Sequence, residues 1–420
     1  MSLVRAAGGG REPILVTGVG FVTPLGGTAA GLDAALATGR CALAARPLEI
    51  EGLGASLVPV AACADFDDEA APRGPSGVLP DRGTAMALHA ARQAFADAGL
   101  APGAADPHRV GVYWGCGMGG AASFDQATQA LYGEGRRLRP TTVLTTMPNA
   151  AVAELSMAFQ ARGASISYAC ACASSAVAVG EAMRAIRGGW IDLALVGGHE
   201  ALLTPGVMAG WQAMRVLAPV SGGGAQGACR PFAADRAGFA LGEGAAALVI
   251  ESAAHARRRR APARVALAGY GTSCDAQHIS QPASEGQVRA MRLALADAGL
   301  AAADIGHVNS HGTATAAGDA AEAASLCEVF GAHGVPVSAT KSLHGHLMGA
   351  GGAVELVCAL RALERQCLPP AAGVAEPDPA FGIDLVCGST ARRVPGLRHV
   401  LSNSFAFGGT NAVLVASRLD

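Results

Sequence analysis

Aromatic residues make up only 4% of the 420-residue chain. That is too few for the stacked side-chain platforms on which single-stranded nucleic acids are held. Charge is scarce as well. Asp, Glu, Lys and Arg together reach 15%, and the net charge is −2, so no basic field draws DNA or RNA. No run approaches the roughly 18 uninterrupted apolar residues that a membrane-spanning helix needs. The opening MSLVRAAGGGREP lacks the apolar core of a secretory leader. Eleven cysteines, odd in number and scattered, do not make a disulfide framework, and a reducing cytoplasm is the expected compartment. What the chain has in quantity is small and apolar. Hydrophobic residues reach 51%, with 57 glycines besides. Such a chain buries a large core and leaves little room for disorder. Its length exceeds one simple core and points to two domains, or one that is duplicated.

Strand-like and helical stretches alternate. PILVTGVGFV and RVGVYWGCG read as strands, and GTAMALHAARQAFADAGL reads as a helix ending at Gly99. IDLALVGG and AALVIES are apolar nearly throughout, the pattern of buried parallel strands. The alternation predicts an α/β protein with mixed, mainly parallel sheets. The halves also echo each other. RQAFADAGL at 92–100 returns as RLALADAGL at 292–300, and AVAVGEAMRAI at 176–186 resembles GAVELVCALRAL at 352–363. Two similar helices in the same order predict a duplication, with halves at 12–255 and 256–420. The arginine run Arg257–Arg260 reads as a solvated helix end at the joint.

The stretch SYACACASSAVAVGEAMRAIRGGW, 167–190, places Cys172 where a β-prone run gives way to an apolar helix. Ser174 or Ser175 is the expected cap. At a helix mouth, unpaired N–H groups and the positive dipole end favour a thiolate, so a lowered pKa and a nucleophilic role are expected. The same N–H groups suit an oxyanion. A buried, inert cysteine fits the residues equally well, and Cys41, Cys63, Cys358 and Cys387 are read that way.

The second half supplies partners. VNSHGTATAAGDAAEA places His311 just after a strand, and VPVSATKSLHGHLMGAGG places Lys341, His344 and His346 after the next. By the duplication these strand ends point to one face, the face that carries sites in open α/β sheets. LSNSFAFGGTNAVLV adds Phe405, Phe407, Gly408 and Gly409 between two strands. Neither GVGFVTPLG nor GCGMGG completes a dinucleotide-binding fingerprint.

The four segments ACACASSA, NSHGTATAAGDAAEA, TKSLHGHLMGAGGAVE and SNSFAFGGTNA resemble, in order and spacing, the signatures of the elongating β-ketoacyl-acyl carrier protein synthases. The resemblance runs from about residue 12 to 418. It implies a thiolase fold of two similar α/β halves in five αβαβα layers, and a homodimer. It implies Cys172, not Cys170, as nucleophile, His311 and His346 as catalytic histidines, and Lys341 with Glu322 as the pair supporting them. Phe407 matches a gating phenylalanine whose N–H, with that of Cys172, forms an oxyanion hole. Thr313 and Thr315 match residues that hold a phosphopantetheine arm. The implied chemistry is decarboxylative condensation of malonyl-carrier protein with a cysteine-bound acyl chain, without metal, nucleotide or redox cofactor. The implied partner is acyl carrier protein. It is acidic, so Arg136, Arg137 and Arg139 are candidates for its docking patch at the tunnel mouth.

Other readings remain in view. Cys170, Cys172, His344 and His346 offer four donors for zinc, at unusual spacing. The chain could be the active half of a heterodimer with a chain-length-setting relative that lacks the cysteine. A thiolase or starter-type synthase would show a second catalytic cysteine or an asparagine for one histidine. Tyr168, Cys170, His344 and Ala406 depart from the common pattern and point to a specialised synthase, one making polyenes or polyketides.

Overall fold

A computed structural model of the chain describes residues 13–50, 52, 54–67, 74–220 and 224–419. The N-terminal leader lies outside them, as does the start of the first half at residue 12. Eleven strands form one mixed sheet. In chain order they are β1 (Ile14–Val22), β2 (Val110–Gly115), β3 (Ser165–Tyr168), β4 (Leu193–Glu200), β5 (Gly244–Glu251), β6 (Val265–Cys274), β7 (His307–Asn309), β8 (Pro336–Ser338), β9 (Asp384–Leu385), β10 (His399–Phe405) and β11 (Thr410–Arg418). The spatial order is β9-β8-β7-β10-β11-β6-β1-β5-β4-β2-β3. The five strands β1–β5 are arranged third-second-fourth-fifth-first. The five strands β6, β7, β8, β10 and β11 repeat that arrangement, and the two sets meet where β1 pairs antiparallel with β6.

Six helices matter for the site: α1 (Arg82–Asp97), α2 (Ser174–Arg187), α3 (Pro205–Ala213), α4 (Ser284–Ala298), α5 (Ala316–Phe330) and α6 (Gly351–Arg365). The echoing stretches 92–100 and 292–300 close α1 and α4, which cover the outer faces of the two half-sheets. The other echoing pair are α2 and α6. They pack on each other and on the inner faces, in a core shared by both halves. The strands alternate to match: Ala194 and Val196 of β4 face that inner core, Leu193 and Leu195 the outer one. Layer follows layer as helix, sheet, helix pair, sheet, helix.

The repeat extends to single atoms. A Cβ on Gly20 would run into the Ala90 carbonyl oxygen of α1, and one on Gly271 into the Ala290 carbonyl oxygen of α4. Each helix therefore lies directly on glycine backbone of the strand beneath it.

Two expectations change. AALVIES forms β5, which is antiparallel to both β1 and β4. Its apolar run reflects helices on both faces, and burial decides composition whichever way the neighbours run. Within the arginine run, Arg259 is no free solvated end. It donates to Glu251 and to the Ala98 carbonyl oxygen. With Thr17 and His255 also bonded to it, Glu251 is held down at about 2 against its burial.

Replacing Gly271 by alanine is expected to cost about 1–3 kcal/mol through overpacking, seen as a lower apparent Tm. Gly210→Ala on α3, where a Cβ meets open space, should be neutral or slightly stabilising.

Candidate active site

After β3 the chain turns sharply. Ala171 has φ 47°, a left-handed conformation rare for a residue with a Cβ. The Cys170 N–H donates to Ser174 Oγ at 2.9 Å, and that hydroxyl donates to the Ala171 carbonyl at 2.7 Å. Ser174 therefore tightens the turn, and the N-cap of α2 is Ala173, with no side-chain cap. Ser175 accepts the Ala353 N–H at 2.9 Å, tying α2 to the start of α6. The turn sets Cys172 at the floor of a cavity of about 230 Å³.

His346 Nε2 lies 3.0 Å from Cys172 Sγ. The Met348 N–H donates to His346 Nδ1 at 3.3 Å. A backbone N–H is always a donor, so Nδ1 accepts and the neutral ring carries its proton on Nε2, aimed at the sulfur. His311 obeys the same logic. Its Nδ1 faces Lys341 Nζ at 3.2 Å, and an ammonium only donates, so its proton too sits on Nε2. The sulfur and the two imidazoles have ligand atoms within 4.8 Å of one another. Burial, helped by the Lys341 charge, holds both histidines well below the ordinary imidazole range.

Glu322 accepts the N–H groups of His311 and Gly312 at 2.8 and 2.7 Å, and the Asn403 amide at 3.0 Å. It fixes the backbone that carries His311. The carboxylate paired with Lys341 is a different one, Glu355 of α6. Lys341 thus acts at the His311 ring and Glu322 at its backbone, while Glu355, which the motifs did not single out, neutralises the lysine. The signal for Glu355 was a lone acid amid Val354, Leu356 and Val357: a glutamate on an apolar helix needs a partner there. The Phe407 N–H is near enough to the Cys172 sulfur to favour its anion. Thr313 and Thr315 line the same cavity, their hydroxyls 2.9 Å apart, and Thr315 caps α5.

Two further expectations are corrected. Burial pushes the Cys172 thiol up to about 11, against the pull of Lys341 and the Phe407 N–H. The sulfur lies under the helix start but away from water, and desolvation outweighs the dipole. The zinc set does not assemble: among the described residues the cluster with metal-binding proximity is Cys172, His311 and His346, without Cys170 or His344. Cys170 packs beside Tyr168 on the inner core, and His344 turns its Nδ1 to the Gly345 carbonyl. The assembled trio fits a metal poorly as well, since a metal on Nε2 would move each proton to Nδ1, against another donor. Arg136, Arg137 and Arg139 line a cleft of their own, with Arg46 and Arg82, outside the cavity over Cys172.

The chain matches the family models for the β-ketoacyl synthase N-terminal domain over residues 11–256 and C-terminal domain over residues 265–375. It belongs to the β-ketoacyl synthase family. The synthase is 36% identical to nodulation protein E of Rhizobium sp. strain N33, over 96% of this chain and 98% of that one. It is 35% identical to 3-oxoacyl-[acyl-carrier-protein] synthase 2 of Vibrio cholerae, over 97% and 100%. Among solved structures, the ishigamide ketosynthase/chain length factor superposes with a TM-score of 0.88 at 30% identity, covering 97% of this chain and 99% of that one. The synthase is thus a condensing enzyme of the acyltransferase type, built on the thiolase fold that its sequence motifs imply.

A thiol held up near 11 is protonated at neutral pH. Alkylation of Cys172 by iodoacetamide, followed by peptide mass spectrometry, is expected to accelerate about tenfold per pH unit from pH 7 to 9. A plateau below pH 8 would show a pre-formed thiolate instead.

Proposed function

We propose that the synthase extends an acyl chain by two carbons, using malonyl-acyl carrier protein. The supporting observation is one sulfur facing two neutral imidazoles that both carry their protons on Nε2. Cys172 attacks the thioester of an acyl-carrier protein. Its proton goes to the departing carrier thiol, and the acyl group stays on sulfur. The N–H groups of Cys172 and Phe407 receive the oxyanion, each contributing about 3 kcal/mol. Malonyl-carrier protein follows. Its carboxylate carbon leaves as carbon dioxide, and the bond's electrons pass into an enolate whose oxygen is held by the Nε2–H groups of His311 and His346. The enolate carbon attacks the acyl-Cys172 carbonyl. Sulfur leaves as the thiolate and takes a proton from water, and the product is a β-ketoacyl thioester on the carrier.

Lys341 and Glu355 hold His311 in its tautomer, and Glu322 holds its backbone. Thr313 and Thr315 would bind the phosphopantetheine arm in the cavity, with Phe407 as gate. The scheme draws on no metal, nucleotide or redox cofactor, since decarboxylation supplies the drive. A cytoplasmic setting suits the free thiols, and no helix among the described residues is long and apolar enough to cross a membrane. Ile166 is exposed on the edge strand β3, and Phe124, Tyr132, Val143 and Leu144 are exposed on the segment 121–146, apolar surface that a second subunit would cover. The likeness to a ketosynthase/chain length factor supports a heterodimer as well as a homodimer. The departures at Tyr168, Cys170, His344 and Ala406, with the likeness to a type II PKS ketosynthase, support a polyketide or polyene product.

Cys172→Ala should abolish formation of an acyl-enzyme from acyl-carrier protein, read by intact mass, while Cys170→Ala keeps most of it. An acyl adduct surviving on Cys172→Ala would reject the assignment. With both imidazole pKa values depressed, the histidines stay neutral as pH falls, so condensation should show no imidazole titration between pH 7 and 6. Charge reversal at Arg136 and Arg137 is expected to raise KM for the carrier protein severalfold and to spare small thioesters. Equal losses on both substrates would remove the docking role.

A further inference from the structure

The cavity over Cys172 has a wall that the reaction scheme leaves unused. Trp211, on α3, lines it together with Phe239 and Phe407. Its indole stacks on the Phe407 ring, with centroids 6.3 Å apart and planes 22° from parallel. It meets Phe239 edge-on at 5.7 Å, and Phe239 meets the His346 imidazole edge-on at 5.2 Å. One aromatic chain therefore runs from the gate to the imidazole, in a protein whose aromatic content is 4%.

The loop beneath Phe407 explains why such a contact matters. Gly408 and Gly409 follow it with φ 83° and 78°, a conformation that glycine adopts freely. Ala406, on the other side, packs against the inner core. The Gly408 N–H donates to the Ile279 carbonyl at 2.7 Å and the Gly409 N–H to the Ala406 carbonyl at 3.0 Å, so the closed loop is pinned through its backbone, and the contacts of the Phe407 ring add to those bonds in holding its N–H over the sulfur. α3 is a firm platform for such a contact. The Gly206 N–H in its first turn donates to Asp125 at 3.0 Å, and Met208 is buried beneath it.

We propose that Trp211 is a positioning residue that holds Phe407 closed over Cys172, and so sets how often the thiol is open to an incoming thioester. The inference rests on the reading of Phe407 as gate. An aromatic pair of this kind shifts a two-state balance by about 2- to 10-fold.

The test is the rate at which Cys172 reacts with iodoacetamide in the intact protein, resolved from Cys170 by fragment mass spectrometry. Exposed Cys274 and buried Cys358 report on the same samples. Trp211→Leu, which removes the stacking face, should speed Cys172 labelling about 2- to 10-fold and leave Cys274 and Cys358 unchanged. Trp211→Phe, which can still stack, should return to the wild-type rate. Phe407→Ala should accelerate labelling at least as much as Trp211→Leu. If Phe407→Ala accelerates and Trp211→Leu does not, Trp211 does not hold the gate. Acceleration in Trp211→Leu matched by new labelling of Cys358 would mean general loosening and overturn the proposal. No acceleration in Phe407→Ala would remove the gate reading itself, and this inference with it.

Discussion

Each imidazole at the site faces a donor that cannot become an acceptor. For His346 it is a backbone N–H, for His311 a lysine ammonium. These two contacts fix both protons on the nitrogens that look into the cavity, which turns a pair of histidines into a pair of hydrogen-bond donors. Much of the surrounding structure serves that arrangement. Lys341 is fully buried and needs a carboxylate, which α6 supplies in Glu355. The His311 backbone needs an anchor, which α5 supplies in Glu322. Burial then keeps both rings neutral, since each loses more by charging than it gains.

The duplication makes this possible. One repeat brings its strand-to-helix turn, with Cys172, to the middle of the molecule. The other brings the ends of β7 and β8, with His311, Lys341 and His346. The helices α2 and α6 occupy corresponding places in the two repeats and pack on each other. The Ser175–Ala353 bond joins their first turns. A nucleophile at the head of one helix is thereby set against imidazoles beside the head of the other. The glycines under α1 and α4 keep the outer layers close, so both half-sheets stay in register with that central pair.

The sequence carries the alternation of strand and helix, the two echoing helix pairs and the four motif-bearing loops in legible form, because each is a local pattern. It carries distances badly. Glu322 and Glu355 both lie on helices near the site, and spacing alone does not say which one reaches Lys341. Cys170 and His344 sit within two residues of site residues and point elsewhere. The arginines at 136–139 form a plain cluster on the chain, but their company in the fold, Arg46 and Arg82, comes from far away in sequence. The Cys172 thiol is hard to read for a similar reason: a helix mouth is visible in the residues, whereas the depth of burial around it depends on elements far away in the chain.

That depth constrains the chemistry. Ionising a thiol with a pKa about 11 at pH 7 costs about 5 kcal/mol, and neither histidine, as protonated, is placed to take the proton. The cost is of the same order as the stabilisation that two backbone N–H donors give an oxyanion. Both donors belong to the places where the site is most constrained: the Cys172 turn, with its left-handed Ala171, and the loop of Phe407. Negative charge that is unfavourable on the resting sulfur becomes favourable once it can move onto a carbonyl oxygen lodged between those N–H groups. The buried thiol is therefore quiet toward small reagents and reactive toward a thioester seated in the cavity, and the selectivity follows from where the donors are held.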